Sequence, residues 1–76
     1  MNKHDKISIL RQYEEYCYQI CHYMTQNEQF SSQAAEKALM MIAEDARFYT
    51  DSEETRKKKV KRTSISSSLS CLTEPN

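Results

Sequence analysis

The chain contains no glycine, and its single proline, Pro75, is the penultimate residue. Glycine supplies the backbone conformations of tight hairpin turns and of the phosphate-holding loops of P-loop and dinucleotide-binding proteins. Its absence therefore excludes those folds and most small β folds. A chain of 76 residues can also bury only one small core. These constraints predict one helical domain, and a charged content of 29% favours a polar tail beside it.

Targeting and redox signals favour a soluble, cytoplasmic protein. The first residues lack the apolar region of a signal peptide, because Ser8 interrupts the stretch from Ile7 to Leu10. The longest apolar run is residues 38–43, whereas a membrane span needs about 20 residues. The cysteine count of three is odd, so we expect free thiols and no disulfide framework.

The spacing of apolar residues predicts two amphipathic helices. The first covers residues 5–25, and its apolar positions lie within a sector of about 140°. These positions are Ile7, Leu10, Tyr13, Cys17, Ile20, Cys21 and Met24. The second covers residues 31–47, because Ser31 and Ser32 offer an N-cap oxygen just after Phe30. Its buried stripe is mostly alanine: Ala34, Ala38, Ile42 and Tyr49, flanked by Ala35, Met41 and Ala46.

A third, basic helix is predicted over residues 52–64. It follows Asp51 and Ser52 as capping residues, with Glu53 and Glu54 suited to the positive end of a helix dipole. Four of the five residues 64–68 are serines, which compete for backbone hydrogen bonds. We therefore expect fraying there and disorder over residues 65–76. The predicted fold is all-α, a small orthogonal or antiparallel helical bundle spanning residues 5–64.

Charge is divided unevenly along a chain whose formal net charge is zero. Residues 1–54 carry five basic residues against ten acidic ones, while residues 55–76 carry six against one. The six are Arg56, Lys57, Lys58, Lys59, Lys61 and Arg62. Such a segment can bind phosphates through counterion release, serve as a nuclear-import address, or remain solvated. Its position after an acidic helix start favours a basic helix over a flexible address.

Two cysteines suggest a metal site. Cys17 and Cys21 share one helical face next to His22, yet the spacing supplies no fourth ligand for a zinc ion. Both cysteines also fall within the apolar sector, where free cysteines behave as small hydrophobic residues. We predict that they pack in the core and that the protein uses no metal or cofactor.

Two further kinds of site are a tyrosine surface for nucleobases and a set of catalytic polar groups. A run of tyrosines could stack nucleobases, but helical geometry scatters most of them along the edges of the first helix, which favours a broad contact surface. They are Tyr13, Tyr16, Tyr18 and Tyr23. No carboxylate pair or Ser-His-Asp set can be assembled, and so short a chain can hardly enclose a cleft. We therefore predict that the protein is not an enzyme.

Three stretches of the chain together resemble a known domain. Residues 13–24, Tyr-Glu-Glu-Tyr-Cys-Tyr-Gln-Ile-Cys-His-Tyr-Met, combine a tyrosine-rich start with an apolar stripe. Residues 27–48 follow as a second helix, and residues 55–65, Thr-Arg-Lys-Lys-Lys-Val-Lys-Arg-Thr-Ser-Ile, follow as a basic third one. This order resembles region 2 of bacterial sigma-70-type factors, particularly the extracytoplasmic-function group. The resemblance spans residues 8–70 and does not include a region 4.

The resemblance implies a role in transcription regulation. In that family the second helix docks on the clamp helices of the β′ subunit of core RNA polymerase. On this chain the corresponding outer face consists of Gln33, Glu36, Lys37, Met40 and Glu44. The third helix would contact promoter DNA through Arg56, Lys57, Lys58, Lys59, Lys61 and Arg62. A separate chain would then supply region 4 for −35 recognition.

The second hypothesis is a small helical adaptor or inhibitor that acts by homodimerisation or by binding a partner protein. A partner helix would then complete the apolar stripes, and the lysines would only solubilise the chain or bind an acidic surface. A small bundle with an alanine-rich face is marginally stable alone, so both hypotheses imply a partner.

Overall fold

The computed structural model describes residues 2–73, and this part of the chain forms helices and no strands. The elements in order are α1 Lys3–Arg11, α2 Glu14–Thr25, α3 Glu28–Ala43, a 3₁₀ helix Ala46–Tyr49, and α4 Glu53–Thr73. Helices α2, α3 and α4 each pack against the other two, whereas α1 makes smaller contacts with α2 and α3. The predicted all-α bundle is confirmed. Within the described residues, no helix combines the length and the apolar character needed to cross a membrane.

The prediction of one continuous helix over residues 5–25 is wrong, because the chain turns between α1 and α2. The amides of Gln12 and Tyr13 donate to the carbonyls of Ile9 and Leu10, at 3.2 and 3.0 Å. These bonds reach back three residues and tighten the end of α1 in the manner of a 3₁₀ turn. The predicted apolar stripe consequently splits: Tyr13 enters the core, while Ile7 stays on the surface.

The chain turns between α2 and α3 without a glycine. Gln26 adopts a left-handed conformation with φ 52°, and its side-chain amide donates to the Tyr23 carbonyl at 2.9 Å. Asn27 then caps α3, since its side-chain oxygen accepts from the Phe30 amide at 2.9 Å. The predicted cap was wrong: Ser31 lies inside α3 and is fully buried.

The second predicted helix also ends earlier than expected. Helix α3 stops at Ala43, and Asp45 caps the separate 3₁₀ helix by accepting from the Arg47 amide at 3.0 Å. The 3₁₀ helix places Phe48 and Tyr49 in the core. Their rings meet edge to face, with centroids 5.9 Å apart, so this short element anchors the connection to α4.

Helix α4 continues well past the predicted end at residue 64. Residues 65–73, predicted to be disordered, are helical, and residues 74–76 lie outside the described part of the chain. The serines stabilise this helix in place, because Ser64, Ser67 and Ser68 are buried against α2 and α3. Their small side chains let the helices approach closely, and each hydroxyl donates a hydrogen bond.

Small residues dominate the core between the helices. The buried apolar residues are Tyr13, Cys17, Cys21, Ala34, Ala35, Ala38, Ile42, Phe48, Tyr49 and Val60. The predicted alanine-rich stripe of α3 is therefore confirmed, although Met41 and Ala46, placed at its edges, are exposed. This interior holds three helices together and leaves their outer sides exposed.

Candidate functional site

The outer face of α3 is the first candidate surface. All five residues predicted for polymerase contact are exposed, on the side of α3 opposite the buried alanines: Gln33, Glu36, Lys37, Met40 and Glu44. Met40 lies near the centre of this face and is 62% exposed. Met41 is also 51% exposed but lies about 100° further around the helix. The face thus presents one long apolar side chain within a polar surround.

The basic segment does not form one continuous cationic surface, because Arg56 is engaged inside the protein. Its Nε donates to the Phe48 carbonyl at 2.8 Å, and its Nη2 donates to the Tyr49 carbonyl at 2.6 Å. The guanidinium also lies 5.8 Å from the centroid of the Phe48 ring. Arg56 therefore closes the end of the 3₁₀ helix, and its guanidinium, predicted to contact DNA, is engaged within the protein.

Lys59 is engaged in the same connection. Its Nζ lies 2.8 Å from Asp45 Oδ2 and also forms an ion pair with Asp51. The hydrogen bond to Asp45, followed in size by the one to Asp51, raises the pKa of Lys59. The same hydrogen bond from Lys59 lowers the pKa of Asp45. The Lys59 side chain is only 25% exposed. Lys59, also predicted to contact DNA, is thus engaged within the protein and ties α4 to the residues that precede it.

The other four basic residues remain on the surface. Lys57 and Lys58 lie 3.8 and 3.5 Å from Glu53 and Glu54, each one turn earlier in α4. Such exposed pairs contribute little energy and exchange partners readily. Lys61 and Arg62 are exposed, and neither has an acidic partner within 4 Å among residues 2–73. The exposed cationic set is therefore Lys57, Lys58, Lys61 and Arg62.

A groove between α2 and α4 was not predicted from the sequence. It has a volume of about 280 Å³ and an almost entirely apolar surface. The lining residues are Tyr16, Gln19, Ile20, Tyr23, Met24, Lys61 and Ile65. A second depression shares Lys61 and Ile65 with it and extends to Lys58 and Arg62. The prediction of disorder from residue 65 onward hid this groove, although Ile65, Leu69 and Leu72 recur at helical spacing in the sequence.

The cysteine pair lies in the core, as predicted. Ser64 Oγ donates to Cys17 Sγ at 3.1 Å, and Cys21 Sγ donates to the Ser64 carbonyl at 3.8 Å. Burial raises the pKa of the Cys17 thiol to about 11, so this thiol is protonated at neutral pH. Within residues 2–73 no cluster of three or more histidine, cysteine or acidic side chains could hold a metal ion. Cys17 and Cys21 therefore serve helix packing.

His22, the third member of the candidate metal group, points away from the cysteines. Its ring stacks on Tyr18 with centroids 6.1 Å apart, and its Nδ1 lies 3.1 Å from Ser31 Oγ. The Ser31 hydroxyl also lies 2.7 Å from the Thr25 hydroxyl, and it donates to the Asn27 carbonyl at 2.6 Å. These hydrogen bonds fix the turn between α2 and α3. Because Ser31 is fully buried, its hydroxyl is not an accessible nucleophile.

Comparison with protein-family models, with curated proteins and with solved structures gave no match for this chain. The candidate surfaces are consequently defined by the geometry of the bundle itself. They are the outer face of α3, the exposed cations of α4 and the groove between α2 and α4.

Proposed function

We propose that this chain is a sigma region 2-like module that binds core RNA polymerase through the outer face of α3 and contacts promoter DNA through α4. The observation that carries this proposal is the division of α3 into two sides. Its inner side is buried among alanines, and its outer side presents Met40 within a polar surround. An exposed methionine can adapt to a partner surface, and methionine is enriched at protein interfaces.

The DNA contact rests on the exposed cations Lys57, Lys58, Lys61 and Arg62. They share one helix, so they can follow a line of phosphates, and their neutralisation of phosphates would release counterions. Arg56 and Lys59 are not part of this contact, since both are bound to the 3₁₀ connection. The proposed role is therefore polymerase association with a modest, salt-dependent contribution from DNA.

Retention of the tagged protein by bacterial core RNA polymerase tests the proposal. We expect the wild type to be retained and Met40→Asp to be lost, because a carboxylate would be placed at the centre of the contact. Met41→Asp is the matched control: it introduces the same charge at a similarly exposed methionine of the same helix, but on a different side. Helical circular dichroism of each variant verifies folding.

Two results would contradict the proposal. One is the absence of wild-type retention when polymerase and folded protein are both present. The other is equal retention of Met40→Asp and wild type, which would show that the outer face of α3 is not the contact.

A further inference from the structure

The groove between α2 and α4 has a volume of about 280 Å³ and is lined by side chains of both helices. Its α2 wall includes Tyr16, Ile20 and Met24, which lie one helical turn apart, together with Gln19 and Tyr23. From Tyr16 to Met24 the wall extends about 12 Å along the helix axis. Two neighbouring helices with apolar side chains between them form the kind of groove into which a third helix packs.

The α4 side of the surface carries an apolar repeat that the bundle does not cover. Ile65 lines the groove, and Leu69 and Leu72 follow it at helical spacing, with 49% and 45% of their surfaces exposed. Tyr23 on the opposite wall is 78% exposed. Large apolar side chains left exposed along one face of a helix are typical of an interaction surface.

Charge identifies the occupant. Lys61 lies in the groove wall, and Lys58 and Arg62 extend the same side of α4. No carboxylate is among the side chains that line the groove in the described chain. Two carboxylates lie at its border: Glu15 accepts a hydrogen bond from Gln19 at 3.4 Å, and Glu54 pairs with Lys58. Lys61 and Arg62 have no acidic partner within 4 Å among residues 2–73, so these two cations attract a partner that carries negative charge beside an apolar stripe.

We propose that the groove between α2 and α4 binds an amphipathic helix of another protein, whose apolar stripe is flanked by acidic residues. A second copy of this chain is a poor occupant, because a two-fold contact through this patch would bring two copies of the same cationic set into one interface without a carboxylate from the groove lining. Nucleobases are also poor occupants, since their edges need hydrogen-bonding groups and the lining is almost entirely apolar.

The proposal does not rest on polymerase binding, which uses the outer face of α3. It does involve three of the cations assigned to DNA: Lys58, Lys61 and Arg62. An acidic helix in the groove therefore competes with DNA for α4.

Two synthetic helical peptides test the proposal with the full chain. They have identical apolar stripes and a length of about 14 residues, and they differ only in carrying glutamates or lysines along both sides of the stripe. Binding is followed by amide chemical shifts of the isotopically labelled protein. We expect the acidic peptide to bind at least about tenfold more tightly than the basic one and to shift amides of α2 and α4 around the groove.

Charge reversal in the protein provides the decisive comparison. In the double variant Lys61→Glu/Arg62→Glu, both changes lie on the exposed side of α4, and we expect the preference to invert in favour of the basic peptide. The variant Met41→Asp, on an exposed part of α3 outside the groove, should bind both peptides as the wild type does. Circular dichroism confirms that each variant retains its helices.

Three outcomes would overturn the proposal: equal affinity for the two peptides, amide shifts outside the groove, or a preference that does not respond to charge reversal. A concentration-dependent dimer that Ile65→Glu abolishes would overturn it as well, because it would assign the groove to a second copy.

Discussion

The hydroxyl of Ser67 donates a 2.7 Å hydrogen bond to the backbone carbonyl of Ala34, which lies 33 positions earlier in the chain. This bond joins α4 to α3 inside the bundle. The adjacent hydroxyl of Ser68 instead donates to the Ser64 carbonyl within α4, at 2.8 Å. Two neighbouring buried serines thus satisfy their hydroxyls in different ways, one between helices and one within a helix.

Removal of these two hydroxyls should have unequal effects. Alanine at either position gains the same helix propensity, but only Ser67→Ala loses a hydrogen bond between helices. We expect Ser67→Ala to be less stable than Ser68→Ala by about 1 kcal/mol. Urea unfolding followed by circular dichroism measures both free energies. Equal stability of the two variants would mean that the contact between α3 and α4 contributes nothing beyond packing.

Stability should depend on pH through Asp45. Its hydrogen bond from Lys59 lowers the folded-state pKa of Asp45 below the ordinary value of 3.8. The stabilisation is therefore present above that value and is lost as the pH falls through the lower folded-state pKa. Asp45→Asn keeps an acceptor for the Arg47 amide but should flatten the acid limb of stability in urea unfolding from about pH 2 to 6. Glu54→Gln, in an exposed pair with Lys58, is the control and should leave that limb nearly unchanged.

Alkaline pH tests the other side of the same pair. The raised folded-state pKa of Lys59 means that its stabilisation is present below the ordinary value of 10.5 and is lost as the pH rises through the higher folded value. Asp45→Asn weakens this dependence too. An acid limb identical in Asp45→Asn and wild type would contradict the assigned role of the pair.

Position 26 should accommodate glycine better than the glutamine it carries. A left-handed residue with a side chain is strained, and Gln26 has φ 52° at the end of α2. We expect Gln26→Gly to stabilise the protein by about 0.5 kcal/mol or more. Gln19→Gly, at an exposed interior position of α2, should destabilise it by about 0.5–1 kcal/mol. Thermal and urea unfolding compare the two variants, and a loss of stability in both would show that the Gln26 side chain itself holds the turn.

The three thiols should react in two classes. Cys71 is partly exposed, whereas Cys17 and Cys21 are buried and the Cys17 pKa is raised to about 11. At neutral pH we expect one thiol to react rapidly with a chromogenic disulfide reagent and two to react only as the bundle opens. Cys71→Ser should remove the fast phase and leave the slow one. Simultaneous reaction of all three thiols in the wild type would contradict the buried position of Cys17 and Cys21.

Proposed DNA contact should depend on salt through two surface cations. Replacing both Lys61 and Arg62 by glutamine should reduce the slope of log affinity against log salt by as much as about 1.8, since each neutralised phosphate contributes about 0.9. Fluorescence anisotropy with duplex DNA between about 50 and 200 mM salt measures the slope. Lys3→Gln on α1 is the control. An unchanged slope in the double variant would show that these cations do not contact phosphates.

The fold class could be predicted from the sequence because apolar spacing and the missing glycine both favour helices. The break between α1 and α2 could not, since Ile7 and Leu10 continue the same apolar periodicity as Tyr13. Helix α4 was predicted too short for a different reason. Serine propensity describes a solvated helix, whereas Ser64, Ser67 and Ser68 are buried and bonded in the core.

The candidate site was predictable at the level of one helix at a time. The exposed face of α3 follows from helical periodicity, and the structure places all five of its predicted residues on the surface. Arg56 and Lys59 do not belong to the exposed cationic set because they bond to residues that precede α4. Arg56 donates to the Phe48 carbonyl, and Lys59 donates to Asp45. The groove exists because α2 and α4 lie side by side. Helical periodicity gives the apolar face of each helix but does not specify which helices pack next to each other.

The contact between Cys17 and Ser64, 47 positions apart, has a consequence for how the protein folds during its synthesis. On the ribosome, α2 and α3 emerge before α4, and the parts of their alanine and cysteine faces that α4 buries stay uncovered until it follows. Local pairing of α2 with α3 can begin early, but the long-range closure must wait. A nascent chain that stalls before α4 therefore exposes apolar surface around Cys17 and Cys21, and such surface is recognised by chaperones and proteases.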